Sequence, residues 1–181
     1  MKLLGLDLAG LPTNPTGYAP LSRKRIRTGL VYSDAEILEL CERERPELTA
    51  LDAPLSFPRR GGLRHADREL IRRGYRVFPP KFGGMKKLTA RAIKLAQKLK
   101  ASGFKVIEIH PRTSGIILFN TPSRQKWLFE LQKKGWDLSS RLSKHEADAV
   151  LAVYTAWLHS RGKTEEVGNK REGTIIIPIS G

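Results

Sequence analysis

The chain has 181 residues, 40% of them hydrophobic, so it is long and apolar enough to form one domain with a core rather than a disordered protein. It lacks an apolar run near the ~20 residues of a membrane span, and its N-terminal run is interrupted too early for a secretory signal. A single cysteine excludes an intramolecular disulfide framework, so we expect an intracellular, cytoplasmic protein, while the net charge of +15 indicates a polyanionic partner.

The first predicted strand lies in residues 2–10, a short apolar run followed by proline, asparagine and glycine. Runs bounded by such turn residues are typical of a strand that is buried on both faces. One carboxylate, Asp7, stands in the middle of the run. An ionised carboxylate in that setting is costly unless a cation or a hydrogen-bond donor meets it, so Asp7 is the first candidate functional residue.

Two short strands are predicted next, over residues 17–21 and 26–32. Ser33 and Glu36 then have the spacing of a capping box, which predicts that a helix begins there. The single cysteine, Cys41, falls on the apolar side of this helix, so we expect a buried thiol rather than a nucleophile. A fourth strand follows and ends in Asp52.

The segment after the fourth strand holds most of the positive charge. Residues 59–100 carry 14 basic and 2 acidic side chains, whereas residues 1–58 have a net charge of −1. This concentration is typical of a surface that binds nucleic acid, DNA or RNA. The alternative is the solvated surface of a heat-stable protein, but such surfaces pair lysine with glutamate. The predicted phosphate-binding side chains are Arg59, Arg60, Arg64, Arg68, Arg72, Arg73, Arg76 and Lys81.

Helices are predicted within this basic segment over residues 63–73 and 87–101, and a fifth strand over 104–110, stopped by Pro111. Thr121-Pro122 indicates the start of another helix, with proline in its first turn. The remaining elements are a last helix opened by a second capping box, Ser143 with Glu146, and a strand over 173–178. Pro178 cannot donate to a ladder and predicts that this strand lies on an edge of the sheet.

Four acids lie where an acid is locally unfavourable: Asp7, Asp52 at a strand end, Glu108 between two isoleucines, and Asp148 within an apolar helical stretch. Buried charges of this kind are normally paired or bound to metal. A surface ion pair with Lys144, four residues earlier, is the simple alternative for Asp148. Each acid taken singly is explained as well by a structural ion pair, so only the whole set, beside the basic segment, favours chemistry.

Acids from strand ends and a facing helix supply the oxygen ligands that Mg²⁺ or Mn²⁺ prefers. Two such ions about 3.5–4 Å apart promote hydrolysis of phosphodiesters. The four histidines are scattered and a lone cysteine cannot build a sulfur site, so zinc fits less well.

Five motifs along the chain resemble those of a known family. They are GLDLAG at 5–10, DAPLS at 52–56, VFPP at 77–80, EIHP at 108–111 and DA at 148–149. Their order resembles the ribonuclease H-like superfamily, in the branch that contains the Holliday-junction resolvases. The motifs are more closely similar to the domain of unknown function 429 family, which is regarded as a group of predicted nucleases.

This resemblance implies an α/β, ribonuclease H-like fold, in which a mixed central β-sheet is flanked by α-helices. Residues 1–181 would form one domain, with residues 56–103 as an enlarged basic insertion between the fourth and fifth strands. It further implies that the four acids named above, Asp7, Asp52, Glu108 and Asp148, converge on a catalytic site for a pair of divalent ions, Mg²⁺ or Mn²⁺.

Two other functions compete with a nuclease. One is a binding protein that keeps the fold without chemistry and stacks bases on Phe57, Phe78 or Phe82. The other is a phosphotransfer enzyme of the sugar-kinase and actin type, whose turn after the first strand would cradle phosphate. The second is disfavoured, because 181 residues are too few for two lobes around a nucleotide. No pattern in the chain specifies an oligomeric state.

Overall fold

The structure, a computed structural model, describes residues 1–180. Four strands begin the chain, helices and single strands follow, and two strands end it. In order, they are β1 (Lys2–Asp7), β2 (Thr16–Ser22), β3 (Arg25–Ile26), β4 (Gly29–Val31), α1 (Asp34–Glu44), β5 (Leu48–Asp52), α2 (His65–Arg72), α3 (Gly83–Ala101), β6 (Val106–Glu108), α4 (Pro111–Phe119), α5 (Arg124–Lys133), α6 (Lys144–His159), β7 (Thr164–Asn169) and β8 (Gly173–Pro178).

The central sheet has the strand order β3-β2-β1-β5-β6, with β4 also paired to β2. β1 is antiparallel to β2 but parallel to β5, which is parallel to β6. The predicted mixed sheet flanked by helices is therefore confirmed. Parallel neighbours end at the same edge of a sheet, and here Asp7 lies directly opposite Asp52. Glu108 lies opposite Leu51, one position earlier on β5.

Helices cover both faces of the sheet, and alternation along β1 divides the core between them. Leu3 packs in a cluster with residues of α5 and α6. Leu4 belongs to a second cluster with Ile37 of α1 and Leu95 of α3. By the same alternation the side chain of Asp7 lies on the α6 face. Both predicted capping boxes are present, at the starts of α1 and α6.

The buried cysteine was also predicted correctly. Cys41 has no exposed surface, and burial raises the pKa of its thiol to about 11. Among residues 1–180, no helix combines the length and the apolar composition needed to cross a lipid bilayer.

Two boundaries near prolines were predicted wrongly. Pro111 ends no strand: β6 stops at Glu108, and Pro111 lies in the first turn of α4, a helix that the sequence analysis missed. Proline suits that position because its fixed φ is helical and its missing N–H is not needed there. α5 begins at Arg124 rather than at Thr121-Pro122, because the Ser123 side chain caps it.

The C-terminal strand was predicted on an edge of the central sheet, but β8 instead forms an antiparallel hairpin with β7. A single bridge, between Ile109 and Ile176, joins the hairpin to the end of β6. The segment between β5 and β6 contributes to two layers. α3 covers the sheet, while Leu70 of α2 packs against Val167 and Ile175 of the hairpin. The description of residues 56–103 as an insertion remains a prediction.

Candidate active site

A cavity of about 230 Å³ opens at the carboxyl ends of β1, β5 and β6. All four acids singled out in the sequence line it, and Asp67 is a fifth. Three guanidinium groups also line the cavity, so the carboxylates outnumber the fixed positive charges. Ligand sites in sheets of this kind commonly lie at the carboxyl ends of the strands. The lining includes Asp7, Asp52, Arg64, Asp67, Glu108, Arg112, Arg124 and Asp148.

Asp7 and Asp52 are neighbours in register and face the same side of the sheet. Burial raises the pKa of Asp7 to about 6, and the charge of Asp148 adds to the effect. Burial also raises the pKa of Asp52 well above its usual value, with further contributions from the charges of Asp7 and Asp148. Asp52 forms no hydrogen bond or ion pair with any other side chain in the described part of the chain. These three carboxylates therefore repel one another and favour a cation between them.

Two glycines let α6 approach the sheet closely enough to complete this group. A Cβ atom at Gly5 would overlap the carbonyl oxygen of Ala149, and one at Gly17 would overlap that of His145. Because both strands present no side chain there, α6 lies directly against β1 and β2. The approach brings His145 Nδ1 to 2.6 Å from Asp7 Oδ2.

His145 was not among the site residues predicted from the sequence. The available signal was its position three residues before Asp148, which places both side chains on one face of a helix. With the helix in place, His145 contacts Asp7 while Asp148 faces the same cavity.

Asp148 is held by Arg124, the first residue of α5. Arg124 donates from Nε to Oδ1 at 2.9 Å and from Nη2 to Oδ2 at 2.7 Å. Burial raises the pKa of Asp148, and the adjacent guanidinium opposes that rise. The alternative ion pair with Lys144 is wrong, because Arg124 takes both carboxylate oxygens. The Arg124 side chain is 41% exposed, so its partner can be exchanged without unpacking the core.

Glu108 lines the same cavity from the other face of the sheet, because it is paired in register with Leu51 rather than with Asp52. Arg64 binds it through two bonds, Nη1 to Oε2 at 2.7 Å and Nη2 to Oε1 at 2.6 Å. The backbone N–H of Leu55 donates to Oε2 as well, at 2.8 Å. Burial raises the pKa of Glu108 and Arg64 opposes that rise, so the charge of Glu108 is already compensated.

Arg64 was predicted among the phosphate-binding side chains, and the structure corrects its position. It is 1% exposed, and each nitrogen of its guanidinium donates to Asp67 or to Glu108. Arg64 therefore has no free donor for a phosphate. Arg68 and Arg73 are exposed but lie beside acidic side chains.

The other predicted phosphate-binding residues remain available. They are exposed and form no ion pair within residues 1–180, and they are Arg59, Arg60, Arg72, Arg76 and Lys81. Arg112 joins them: it is exposed, lines the cavity and has no acidic partner among the described residues. Arg112 was not predicted from the sequence, because it follows Pro111, where no helix was expected.

The chemistry of these donors fits a divalent cation, since Asp7, Asp52 and Asp148 supply carboxylate oxygens and Asp52 has no side-chain partner in the described part of the chain. In the conformation described for residues 1–180, however, no three Asp, Glu, His or Cys side chains are already grouped as metal ligands. The contacts explain why. His145 holds Asp7 and Arg124 holds Asp148, so metal binding requires these side chains to exchange partners.

Comparison with known proteins gives a family and a fold. A family model described as "Protein of unknown function (DUF429)" matches residues 25–173. Among solved structures, T. thermophilus RuvC in complex with a Holliday junction substrate matches with a TM-score of 0.55 and 18% identity, over 90% of this chain and 96% of that one. The Thermus thermophilus RuvC structure matches with a TM-score of 0.55 and 16% identity, over 90% and 97%. Comparison with curated protein sequences gives no match. The structural likeness confirms the ribonuclease H-like fold.

Proposed function

The chain belongs to the DUF429 family, and with this premise we propose that it is a divalent-metal-dependent nuclease that hydrolyses phosphodiester bonds of nucleic acid. One observation carries the proposal. Asp7 and Asp52 at adjacent strand ends and Asp148 on the facing helix line one cavity, where the charge of Asp148 raises the pKa of Asp7 and the charges of Asp7 and Asp148 raise the pKa of Asp52. Such a group of carboxylates is costly to keep in a fold unless a cation binds there.

We assign Asp7, Asp52 and Asp148 as the ligands of Mg²⁺ or Mn²⁺, in a site for two ions. When bound, such ions lower the pKa of water and stabilise negative charge on the leaving oxygen. The His145 ring hydrogen-bonds to Asp7 and fixes the orientation of that carboxylate. Glu108, the fourth predicted ligand, is left out of this set because Arg64 binds both of its oxygens.

Substrate binding is assigned to the cationic side chains around the cavity. Arg112 is free to bind a phosphate inside the cavity, and Arg124 becomes free when Asp148 binds metal. The exposed basic residues of the 59–81 segment would bind flanking phosphates without regard to sequence. One matched structure is a complex with a Holliday junction, which supports nucleic acid, DNA or RNA, as the substrate. The expected compartment remains the cytoplasm.

The experiment measures metal binding and cleavage separately. Mn²⁺ binding is followed by calorimetry, and cleavage is followed on labelled single strands, duplexes and four-way junctions of DNA and RNA. We expect Asp7→Asn and Asp52→Asn to weaken Mn²⁺ binding and to slow cleavage by at least ~100-fold, since even groups behind metal ligands are worth 10–100-fold. The control is Asp137→Asn, an exposed aspartate that does not line the cavity.

Unchanged metal binding and cleavage in Asp7→Asn would contradict the proposal. A different pattern would favour the competing binding protein: no cleavage by the unsubstituted chain, together with salt-sensitive binding that persists in EDTA and in the aspartate variants.

A further inference from the structure

Phe78 and Phe82 are the two most exposed large apolar side chains of the described residues, at 70% and 76%. A single exposed apolar side chain is ordinary in a folded protein. Two exposed phenylalanines four residues apart in one loop are unusual, because each loses the free energy that burial of an aromatic ring provides. The segment between α2 and α3 that carries them, residues 75–82, is called the aromatic loop below.

The exposure of these rings is not the result of a loose backbone. The N–H of Phe82 donates to the carbonyl of Pro79 at 3.1 Å, and the N–H of Met85 donates to that of Phe82 at 3.0 Å. The buried Thr89 hydroxyl donates to the carbonyl of Pro80 at 3.3 Å and ties the loop to α3. The aromatic loop is therefore an ordered turn that holds its rings in solvent.

The aromatic loop also lies at the mouth of the carboxylate cavity. Val77 and Phe78 line that cavity together with Asp7 and Asp52. A strand that places a phosphate next to these aspartates therefore comes within reach of the Phe78 ring.

The charges around the loop identify the chemistry of its partner. Eleven basic residues and no acidic residue occur between Glu69 and Glu108. Arg76 and Lys81 are exposed on either side of Phe78. Flat apolar faces beside cations match the two components of a nucleic acid strand, because bases stack on aromatic rings while phosphates bind lysine and arginine. In a continuous duplex the base faces are already stacked on one another, so only unpaired bases can use these rings.

We propose that the aromatic loop is a base-stacking platform, on which Phe78 and Phe82 stack on unpaired bases next to the phosphate that enters the cavity. The platform makes nucleic acid with unpaired bases, either single strands or bulged duplexes, the preferred ligand over continuous duplex. The position beside the reacting phosphate rests on the proposed nuclease function, whereas the preference itself is a property of binding.

The experiment therefore measures binding in EDTA, where metal-dependent cleavage is absent. The full chain is titrated with a 2-aminopurine-labelled single strand, the same sequence as a duplex, and the duplex with one bulged base. We expect tighter binding of the single strand and the bulge, with quenching of the 2-aminopurine fluorescence by stacking. In Phe78→Ala/Phe82→Ala, single-strand affinity should fall by about 10-fold or more, the effect of losing a stacked ring, and duplex affinity should stay within about 2-fold.

Phe129→Ala is the matched control, because Phe129 is 58% exposed on α5 and does not line the cavity. It should behave as the unsubstituted chain does, and Phe78→Leu/Phe82→Leu, which keeps apolar surface without rings, should behave as the alanine variant does. The platform would be overturned if the alanine variant bound the single strand, the duplex and the bulged duplex with equally reduced affinity, or if its affinities were unchanged. It would also be overturned if the unsubstituted chain did not bind the single strand. A parallel Mn²⁺ cleavage assay separates the two proposals. A preference for unpaired bases without cleavage refutes only the nuclease. Cleavage, with a binding preference that the phenylalanine substitutions leave unaltered, refutes only the platform.

Discussion

Two arginine–carboxylate pairs stand on opposite sides of the cavity, and they differ in burial rather than in geometry. Arg64 and Glu108 approach to 2.6 Å and are 1% and 5% exposed. Arg124 and Asp148 approach to 2.7 Å and are 41% and 11% exposed. In both pairs the guanidinium uses two nitrogens on two oxygens. The same kind of contact is therefore a fixed part of the core between Arg64 and Glu108, whereas the contact between Arg124 and Asp148 can be exchanged.

The difference arises from what else each arginine contacts. Arg64 also donates to Asp67 and to Ser56, so that one cation serves two buried carboxylates at the junction of α2 and β6. Removing it leaves charges in a medium where they cannot be solvated. Arg124 reaches its partner from the solvent-exposed start of α5, and water can replace it. We therefore expect structural effects on the first side and functional effects on the second.

The largest change in stability should follow from breaking the buried pair of Arg64 and Glu108, which forms the closed side of the cavity. Arg64→Ala leaves Glu108 and Asp67 buried without a cation, so the free energy of unfolding should fall by about 3–5 kcal/mol. Urea denaturation measures this change. Arg68→Ala is the control, because Arg68 is 51% exposed beside Glu172 and should cost below about 1 kcal/mol. Equal losses of stability in the two variants would show that the buried pair does not stabilise the fold more than an exposed one.

The second effect is a gain in stability rather than a loss. It concerns Asp7, which lies on the open side of the cavity with Asp148 and the partly exposed Arg124. Because burial and neighbouring charge raise the pKa of Asp7 from 3.8 to about 6, the folded state binds more protons than the unfolded state in this interval. Stability should therefore fall as the pH rises from 3.8 to about 6, and the full penalty is present above that range. Asp7→Asn removes the penalty and should raise the free energy of unfolding at pH 7.5 by roughly 1–3 kcal/mol.

Denaturation of Asp7→Asn at pH 4 and at pH 7.5, without divalent metal, measures that difference. The gain should nearly vanish at pH 4, where most of the native carboxyl is already protonated. Asp137→Asn, at an exposed ion pair, should show no such gain. A loss of stability in Asp7→Asn at pH 7.5 would mean that the hydrogen bond to His145 outweighs repulsion among the aspartates.

The smallest change in stability should come from the exchangeable arginine. Arg124→Ala should alter the free energy of unfolding by less than about 1 kcal/mol, because the pair is partly solvated. Since Arg124 competes for Asp148, the variant should bind Mn²⁺ roughly 3- to 10-fold more tightly in the absence of nucleic acid. Calorimetry measures Mn²⁺ binding to the variant and to the unsubstituted chain. Arg25→Ala, at the exposed pair with Asp137, is the control. Weaker Mn²⁺ binding would contradict the role given to Arg124.

The sequence alone determined the fold class and the positions of the main acids. Runs of apolar residues between turns located β1 and β5, and Asp52 was correctly placed at the end of its strand. Asp7 was expected in the middle of its run, but β1 ends at Asp7, where a carboxylate is tolerated because the strand leaves the core. The two capping boxes located α1 and α6, and the apolar surroundings of Asp148 marked it on α6. These features depend on local spacing, which a sequence displays directly. Their roles in metal binding and catalysis remain predictions.

Only the tertiary structure decided which charge meets which. Arg64 and Glu108 are 44 residues apart, and Arg124 and Asp148 are 24 apart, so no local pattern pairs them. The face on which Glu108 lies depended on the register of β6 against β5. A sequence shows that a buried carboxylate needs a partner, because desolvation is costly wherever it occurs. The partner itself is set by the packing of distant elements, and that packing closes one side of this cavity and leaves the other open.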